Sequence, residues 1–172
     1  LGARLPWTLL LTGASLVLIV LIGIPLGVLA ASRRGGLVDR LVQVVGVTGQ
    51  SVFVPSVAVL LLFAFGVRLG WLPIGGAYDT GVYGVAWYGD VARHLVLPAL
   101  SLTLVQLGAY VLTVRSTLID ALGQDYTTLA QANGLSPGRV LWKHALRNAL
   151  LPATTLIGLQ LGFLVGGAVL TE

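Results

Sequence analysis

Apolar runs alternate with short polar intervals along the whole chain. Residues 7–31, 41–67, 95–114 and 148–171 contain no Asp, Glu, Lys, Arg or His. Each run is long enough to cross a hydrocarbon core of ~30 Å as a helix. The pattern predicts an all-α, polytopic membrane helix bundle with four spans, all within a single transmembrane domain over residues 1–172. Between the spans lie a short turn at 32–40, an irregular loop at 68–94 and a polar interval at 115–147. The turn is too short to make the first two spans anything but antiparallel neighbours.

The spans are not uniformly apolar. Pro25 inside the first should kink it or mark a local opening. Gly23 and Gly27 form a small-xxx-small pair that permits close helix approach, although glycine is common in membrane helices generally. The first half of the second span holds Gln43, Thr48, Gln50 and Ser51, followed by Pro55 and Ser56. Polar groups in a bilayer face a cavity or a neighbouring helix, so these line a water-filled pathway or make interhelical hydrogen bonds. The third span carries Pro98, Ser101, Thr103 and Gln106, and the fourth carries Pro152 and Gln160. Gln50, Gln106 and Gln160 are the candidate pathway-lining residues. Gly158, Gly162 and Gly166 recur every four residues, which puts them on one face of a helix suited to close packing.

The longest polar interval ends in DYTTLAQANGLSPGRVLWKHALRNALLP, residues 125–152. Asp125 is a suitable N-cap for a short helix over 126–133, and Gly134 sits where a left-handed C-cap belongs. Ser136 caps a second helix, with Pro137 at its first position, where a missing N–H does no harm. Arg139, Lys143 and Arg147, spaced four apart, form one basic stripe. That stripe suits anionic lipid headgroups, with Trp142 as an anchor, or an acidic protein partner.

Composition agrees with the pattern: 56% of the 172 residues are hydrophobic and only 9% are charged, against about a quarter charged in soluble domains. The net charge of +4 therefore reflects arginines flanking spans rather than nucleic-acid binding. Seven of the ten Lys and Arg residues fall in the two intervals 32–40 and 115–147, leaving Arg4, Arg68 and Arg93 for the other side. The positive-inside rule places both intervals in the cytoplasm. The 68–94 loop has Pro73, Gly75, Gly76 and four aromatics from Tyr78 to Tyr88, and is expected to lie along the opposite interface or to bind a partner there. The chain has no Met, so residues are expected to precede Leu1.

Little catalytic chemistry is present. There is no Cys, hence no thiolate or disulfide, and no Walker loop surrounds the single lysine, Lys143. His94 and His144 fall on opposite sides in this topology and cannot share a metal. The uncharged spans argue against proton-coupled transport and voltage sensing, which use intramembrane charges. They favour a passive pore or a subunit driven from outside its own chain.

The 125–152 stretch resembles the cytoplasmic "EAA" loop of permease subunits in ATP-binding-cassette importers, in the dipeptide/oligopeptide/nickel branch. Asp125, Tyr126, Ala130, Ala132, Gly134, Leu135 and Ser136 match, as do residues 144–152. GIPLGVLAA from Gly23, LGWLPIGG from Leu69 and RHLVLPALSL from Arg93 also resemble that branch, so the similarity covers nearly the whole chain. Against the broader importer pattern, its glutamate position falls on Thr128 and its Ile-x-Leu-Pro on His144 to Arg147. Both departures suit the peptide branch.

The resemblance implies a type I importer permease fold, in a bacterial or archaeal inner membrane. It implies an ATPase-coupling surface at Asp125, Tyr126, Thr127, Leu129, Ala130, Ala132, Gly134, Leu135 and Ser136. Its partners would be a second, related permease chain, two ATPase subunits and an extracytoplasmic solute-binding protein, besides membrane lipid and without nucleic acid. Family members have six spans, so this chain would lack the first and the last. The chain itself would be no enzyme and hold no cofactor, with hydrolysis in partner subunits. The implied function is peptide import; a permease for nickel chelates or other small solutes, or a structural membrane subunit without a pathway, are the alternatives.

Overall fold

The computed structural model describes residues 5–76 and 84–170, with side chains up to Leu159 in the last helix. Every regular element among them is helical. Helix α1 is Leu5–Ser32, α2 is Leu37–Gln50 and α3 is Val54–Leu61, the last continuing as wider π-type turns through Arg68. Helix α4, Val85–Leu122, is followed by the short α5, Asp125–Ala132. A single turn, α6 at Pro137–Arg139, leads through π-type turns at Val140–Ala145 into α7, Leu146–Leu170.

Two helical stretches, Pro6–Ser32 and Trp87–Leu122, are long and apolar enough to cross a membrane alone; α2 with α3 makes a third if the bent pair is one span. The fold is thus an all-α polytopic membrane bundle with two, or up to three, such spans among the described residues, short of a clear four. The uninterrupted second span expected at 41–67 is instead broken, with a bend of 106° between its halves. The cause is local. Pro55 lacks the N–H that would bond back to Ser51, and its ring crowds that carbonyl. Helix α2 accordingly stops at Gln50, and α3 restarts with Pro55 in its first turn. Pro25, by contrast, is accommodated within an unbroken α1.

The third helix is longer than its apolar run. Its 38 residues correspond to about 57 Å at 1.5 Å per residue, well beyond the bilayer core. Residues 85–94, expected in a loop, form its first turns. Asp90 and Arg93 end the apolar pattern but are tolerated in a helix, and the start is set by Gly84, whose φ of +74° lies outside helical geometry. Of the four aromatics expected at the interface, Trp87 and Tyr88 belong to this helix, where Trp87 stacks edge-on to Trp7 with ring centroids 6.3 Å apart. Tyr78 and Tyr83 lie outside the described residues.

Helix α4 is the axis of the bundle. It runs parallel to α1: touching pairs keep a sequence offset of 84 to 88, from Ser15–Ala99 and Ser15–Thr103 onward to Gly23–Tyr110 and Gly27–Val114. A Cβ on Gly23 would lie 2.6 Å from Tyr110 Cδ1, and one on Gly27 2.7 Å from Val114 Cγ1, so this small-xxx-small pair does set a close approach. The Ser15 and Thr103 hydroxyls bond within their own helices, to the Leu11 carbonyl at 2.9 Å and the Ala99 carbonyl at 2.7 Å, and each also lies 3.4 Å from a backbone carbonyl across the helix contact. Helix α7 runs antiparallel to α4, where the one proton of the Thr117 hydroxyl is shared between the Ala149 carbonyl at 2.8 Å and the Thr113 and Val114 carbonyls of its own helix at 2.9 and 3.2 Å. Val28, Ala31, Leu118, Ala121, Ala145, Leu146 and Ala149 form one buried cluster, and Ile19, Tyr110, Val114 and Ala153 another.

Candidate functional site

Helix α4, helix α5 and the π-type turns at Val140–Ala145 meet at the end of the bundle where α1 turns into α2. Gly123 and Gln124 end α4, and Gln124, rather than Asp125, occupies the N-cap of α5 without a side-chain bond. Asp125 therefore moves one position inward, to the first helical residue, where its negative charge faces the positive helix terminus. At the other end Gly134 has φ +80°. Its N–H bonds to the Gln131 carbonyl at 2.9 Å and the Leu135 N–H to the Ala130 carbonyl at 3.2 Å. This is a Schellman closure, in which two otherwise orphaned carbonyls are satisfied. Ser136 precedes Pro137 at the start of α6, as its sequence predicts, though its side chain makes no cap bond.

One side chain seats α5 on the bundle. Thr127 is fully buried, and its hydroxyl lies 2.8 Å from the Leu122 carbonyl and 2.7 Å from the Gln124 carbonyl. A hydroxyl has one proton, so the two acceptors share it. Ala130, one turn on, and Leu135 are half-buried, whereas Asp125, Tyr126, Leu129, Ala132, Gly134 and Ser136 are exposed. Leu129 is 64% exposed, an apolar knob presented away from the bundle. The nine residues singled out from the resemblance thus divide into an inner seat and an outward surface. Just beyond, Arg139, Lys143 and Arg147 are all exposed, and so is Trp142.

The candidate pathway residues are not gathered in this way. Gln50 is exposed at the end of α2 and donates to its own helix, to the Gly46 carbonyl at 3.3 Å. Gln106 is half-buried on α4, and the side chain of Gln160 lies outside the described residues. Toward the opposite end of α4, His94 is buried, donates its Nδ1–H to the Asp90 carbonyl at 3.0 Å, and borders two adjoining cavities of about 160 and 200 Å³. No group of three or more His, Cys, Asp or Glu able to hold a metal occurs among the described residues.

Pattern reading missed a side chain with four hydrogen-bond donors converging on it. Asp39, 1% exposed in the first turn of α2, accepts both Nε–H and Nη2–H of Arg115 on α4, the latter at 2.8 Å. It also accepts the Gly35 N–H at 2.8 Å and the Gln43 amide at 3.1 Å. The available signal was slight: a single acid among three arginines, just after a Gly-Gly turn.

Comparison with known proteins places this geometry. Residues 23–172 match the model of the family described as "Binding-protein-dependent transport system inner membrane component". The di/tripeptide transport system permease protein DppB of Pseudomonas aeruginosa is 39% identical over 97% of this chain and 54% of its own length. The oligopeptide transport system permease protein AppB of Bacillus subtilis is 38% identical over 99% of this chain and 53% of its own. The glutathione transport system permease protein GsiC of Salmonella typhimurium is 39% identical over 96% and 50%. The chain spans about half the length of the curated relatives it matches. With 150 consecutive positions inside the family model and relatives aligned over nearly all of it, this multi-pass membrane protein belongs to the family of binding-protein-dependent transport system inner membrane components.

Proposed function

We propose that the chain is the permease subunit of an ATP-driven peptide importer, providing part of the translocation pathway and coupling it to ATPase subunits. The observation that carries this reading is α5. It is a short helix with a closed C-terminus, seated through Thr127 and otherwise exposed, hung from the end of the longest helix in the bundle. Such an element can be gripped from outside and can pass a displacement to α4. Asp125, Tyr126, Leu129, Ala132, Gly134 and Ser136 form the gripped surface; Thr127, Ala130 and Leu135 hold it to the bundle.

The complete assembly would hold a second permease chain, two ATPases below and a solute-binding protein above. In this arrangement α2 with α3 forms one broken span and α7 the fourth, giving spans near 7–31, 41–67, 95–114 and 148–171. Irregular backbone at membrane depth is tolerated beside protein or a water-filled cavity, so the break after Gln50 belongs at the pathway, with Gln50, Gln106 and Gln160 lining it. Peptides are the favoured substrate because the relatives named above are permeases for di- and tripeptides, oligopeptides and glutathione.

The test is uptake of labelled di-, tri- and oligopeptides by proteoliposomes holding the full complex, ATP inside and binding protein outside. ATP-dependent accumulation of peptide is expected. Accumulation of a nickel chelate with no peptide competition would move the protein to the small-solute branch, and no ATP-dependent uptake of either would remove the transport reading.

A further inference from the structure

We infer that Asp39 and Arg115 are positioning residues for coupling: their ion pair, its carboxylate buried and its guanidinium partly exposed, fixes the α1–α2 turn and α2 to the end of α4, so that α5 and the broken helix α2–α3 move together. This rests on the proposed role of α5. The carboxylate joins three separate parts of the molecule. It takes the Gly35 N–H from the turn, the Gln43 amide from α2 and two N–H groups from α4. Gly35 has φ +77°, so the turn itself is shaped to aim its N–H at Asp39.

The form of the bond matters as much as its charge. A guanidinium fork on a carboxylate fixes direction as well as distance, whereas an ammonium is a point charge free to swivel. A single joint would still leave α2 free to pivot. Two turns further along, however, the backbones of Gly46 and Gly108 touch, giving α2 and α4 a second fixed point. An oriented ion pair and a close backbone contact two turns apart together oppose pivoting of α2 on α4. On its other side, α4 is fastened by the Thr117 hydroxyl to the Ala149 carbonyl of α7. The Thr127 hydroxyl then links α5 to the Leu122 carbonyl, two turns beyond Arg115.

A continuous set of joints therefore runs from α5 through Leu122 and α4 to Arg115, Asp39 and α2, and ends at the break at residues 51–53. An ion pair retained only for stability would be an inefficient choice, because apolar replacements of buried pairs are often as stable. What four converging donors provide is orientation, and orientation is what a mechanical joint needs. Physical adjacency alone does not establish energetic coupling, so the test reads coupling directly.

The complete importer is reconstituted in proteoliposomes, and peptide imported per ATP hydrolysed is measured. One variant is Arg115→Lys, which keeps the charge and loses the fork. The other is Asp39→Asn with Arg115→Gln, which leaves no buried charge unpaired. Both are expected to assemble with the ATPase and hydrolyse ATP at the basal rate, while import per ATP falls about fivefold or more in the double variant and less in Arg115→Lys. A thiol-to-amine cross-link from Leu129→Cys to the ATPase, made in a complex whose other cysteines are first replaced, separates the two readings. A cross-link in otherwise unaltered protein together with a normal import ratio in both variants overturns the joint alone. Failure of that cross-link overturns the role of α5. Failure of the double variant to assemble, with a normal ratio in Arg115→Lys, reduces the pair to an anchor and also overturns the inference.

Discussion

Gly46 and Gly108 meet backbone to backbone: a Cβ placed on Gly108 would lie 2.3 Å from the Gly46 carbonyl oxygen and 3.0 Å from its carbonyl carbon and Cα. The contact is asymmetric. A Cβ on Gly46 would instead meet the Leu112 side chain at 3.1 and 3.2 Å, and the Gly108 carbonyl oxygen only at 3.4 Å. Side chains can yield where backbone cannot. Gly108→Ala should therefore separate α2 from α4 and destabilise the bundle by about 1–3 kcal/mol, while Gly46→Ala should do less. Thermal unfolding of the purified protein in detergent measures both; equal loss in the two variants would mean that the helices approach differently.

Gly134 has φ +80° with open space around the site of a Cβ. Any effect of a side chain there is backbone strain, not collision. Gly134→Val should cost roughly 1–2 kcal/mol, too little to prevent insertion, yet enough to open the Schellman closure and re-aim α5. Normal membrane levels, weaker co-purification with the ATPase subunits and loss of substrate-stimulated ATP turnover are expected. Wild-type values for both binding and turnover would exclude α5 as the coupling element.

These two glycines mark how far the sequence could be read. Gly134 was legible because the cap chemistry is local: a polar N-terminus, a turn and a half of helix and a glycine before Leu-Ser-Pro. The existence of the membrane helices and the Gly23–Gly27 approach were equally visible in periodicity. Gly108 was not, because it has no distinguishing neighbours and its role arises from the distant Gly46. The Asp39–Arg115 pair, 76 residues apart, was hidden for the same reason: no local pattern says which acid meets which base. The ends of α4 were misplaced because the apolar run records the membrane, whereas the helix continues until a glycine or a cap stops it. The break at residues 51–53 was present in Pro55 but was outweighed by the uncharged run around it.

By the positive-inside rule, the seven-to-three division of basic residues predicts that the α1–α2 turn is cytoplasmic, and labelling of single cysteines checks it. Arg34 and Gly75 are suitable sites: Arg34 is exposed, and a Cβ on Gly75 meets nothing within 4 Å. Gly36 and Gly76 are poorer choices, the first tight against the Arg33 carbonyl oxygen at 3.0 Å and the second at φ +88°. In intact cells an impermeant maleimide should label Gly75→Cys and spare Arg34→Cys. The reverse pattern would invert the topology and place α5 outside.

Gly158 lies on the face that Gly162 and Gly166 continue, and among the described residues that face is open at Gly158, where a Cβ would have no neighbour within 4 Å. Glycine in a helix interior is otherwise a disadvantage of about 0.5–1 kcal/mol against alanine, so its use here points to a neighbour beyond the described residues. Close approach of another helix supplies one, since small residues let backbones come together in lipid. The second permease chain is the natural candidate for that helix. Gly158→Leu should then leave the isolated chain at least as heat-stable as before, because no described residue is displaced. It should instead reduce recovery of the partner permease in a tagged pull-down from membranes, and peptide uptake with it. Loss of stability in the isolated chain would mean that the face already packs internally, and full recovery of the partner with normal uptake would mean that it faces lipid.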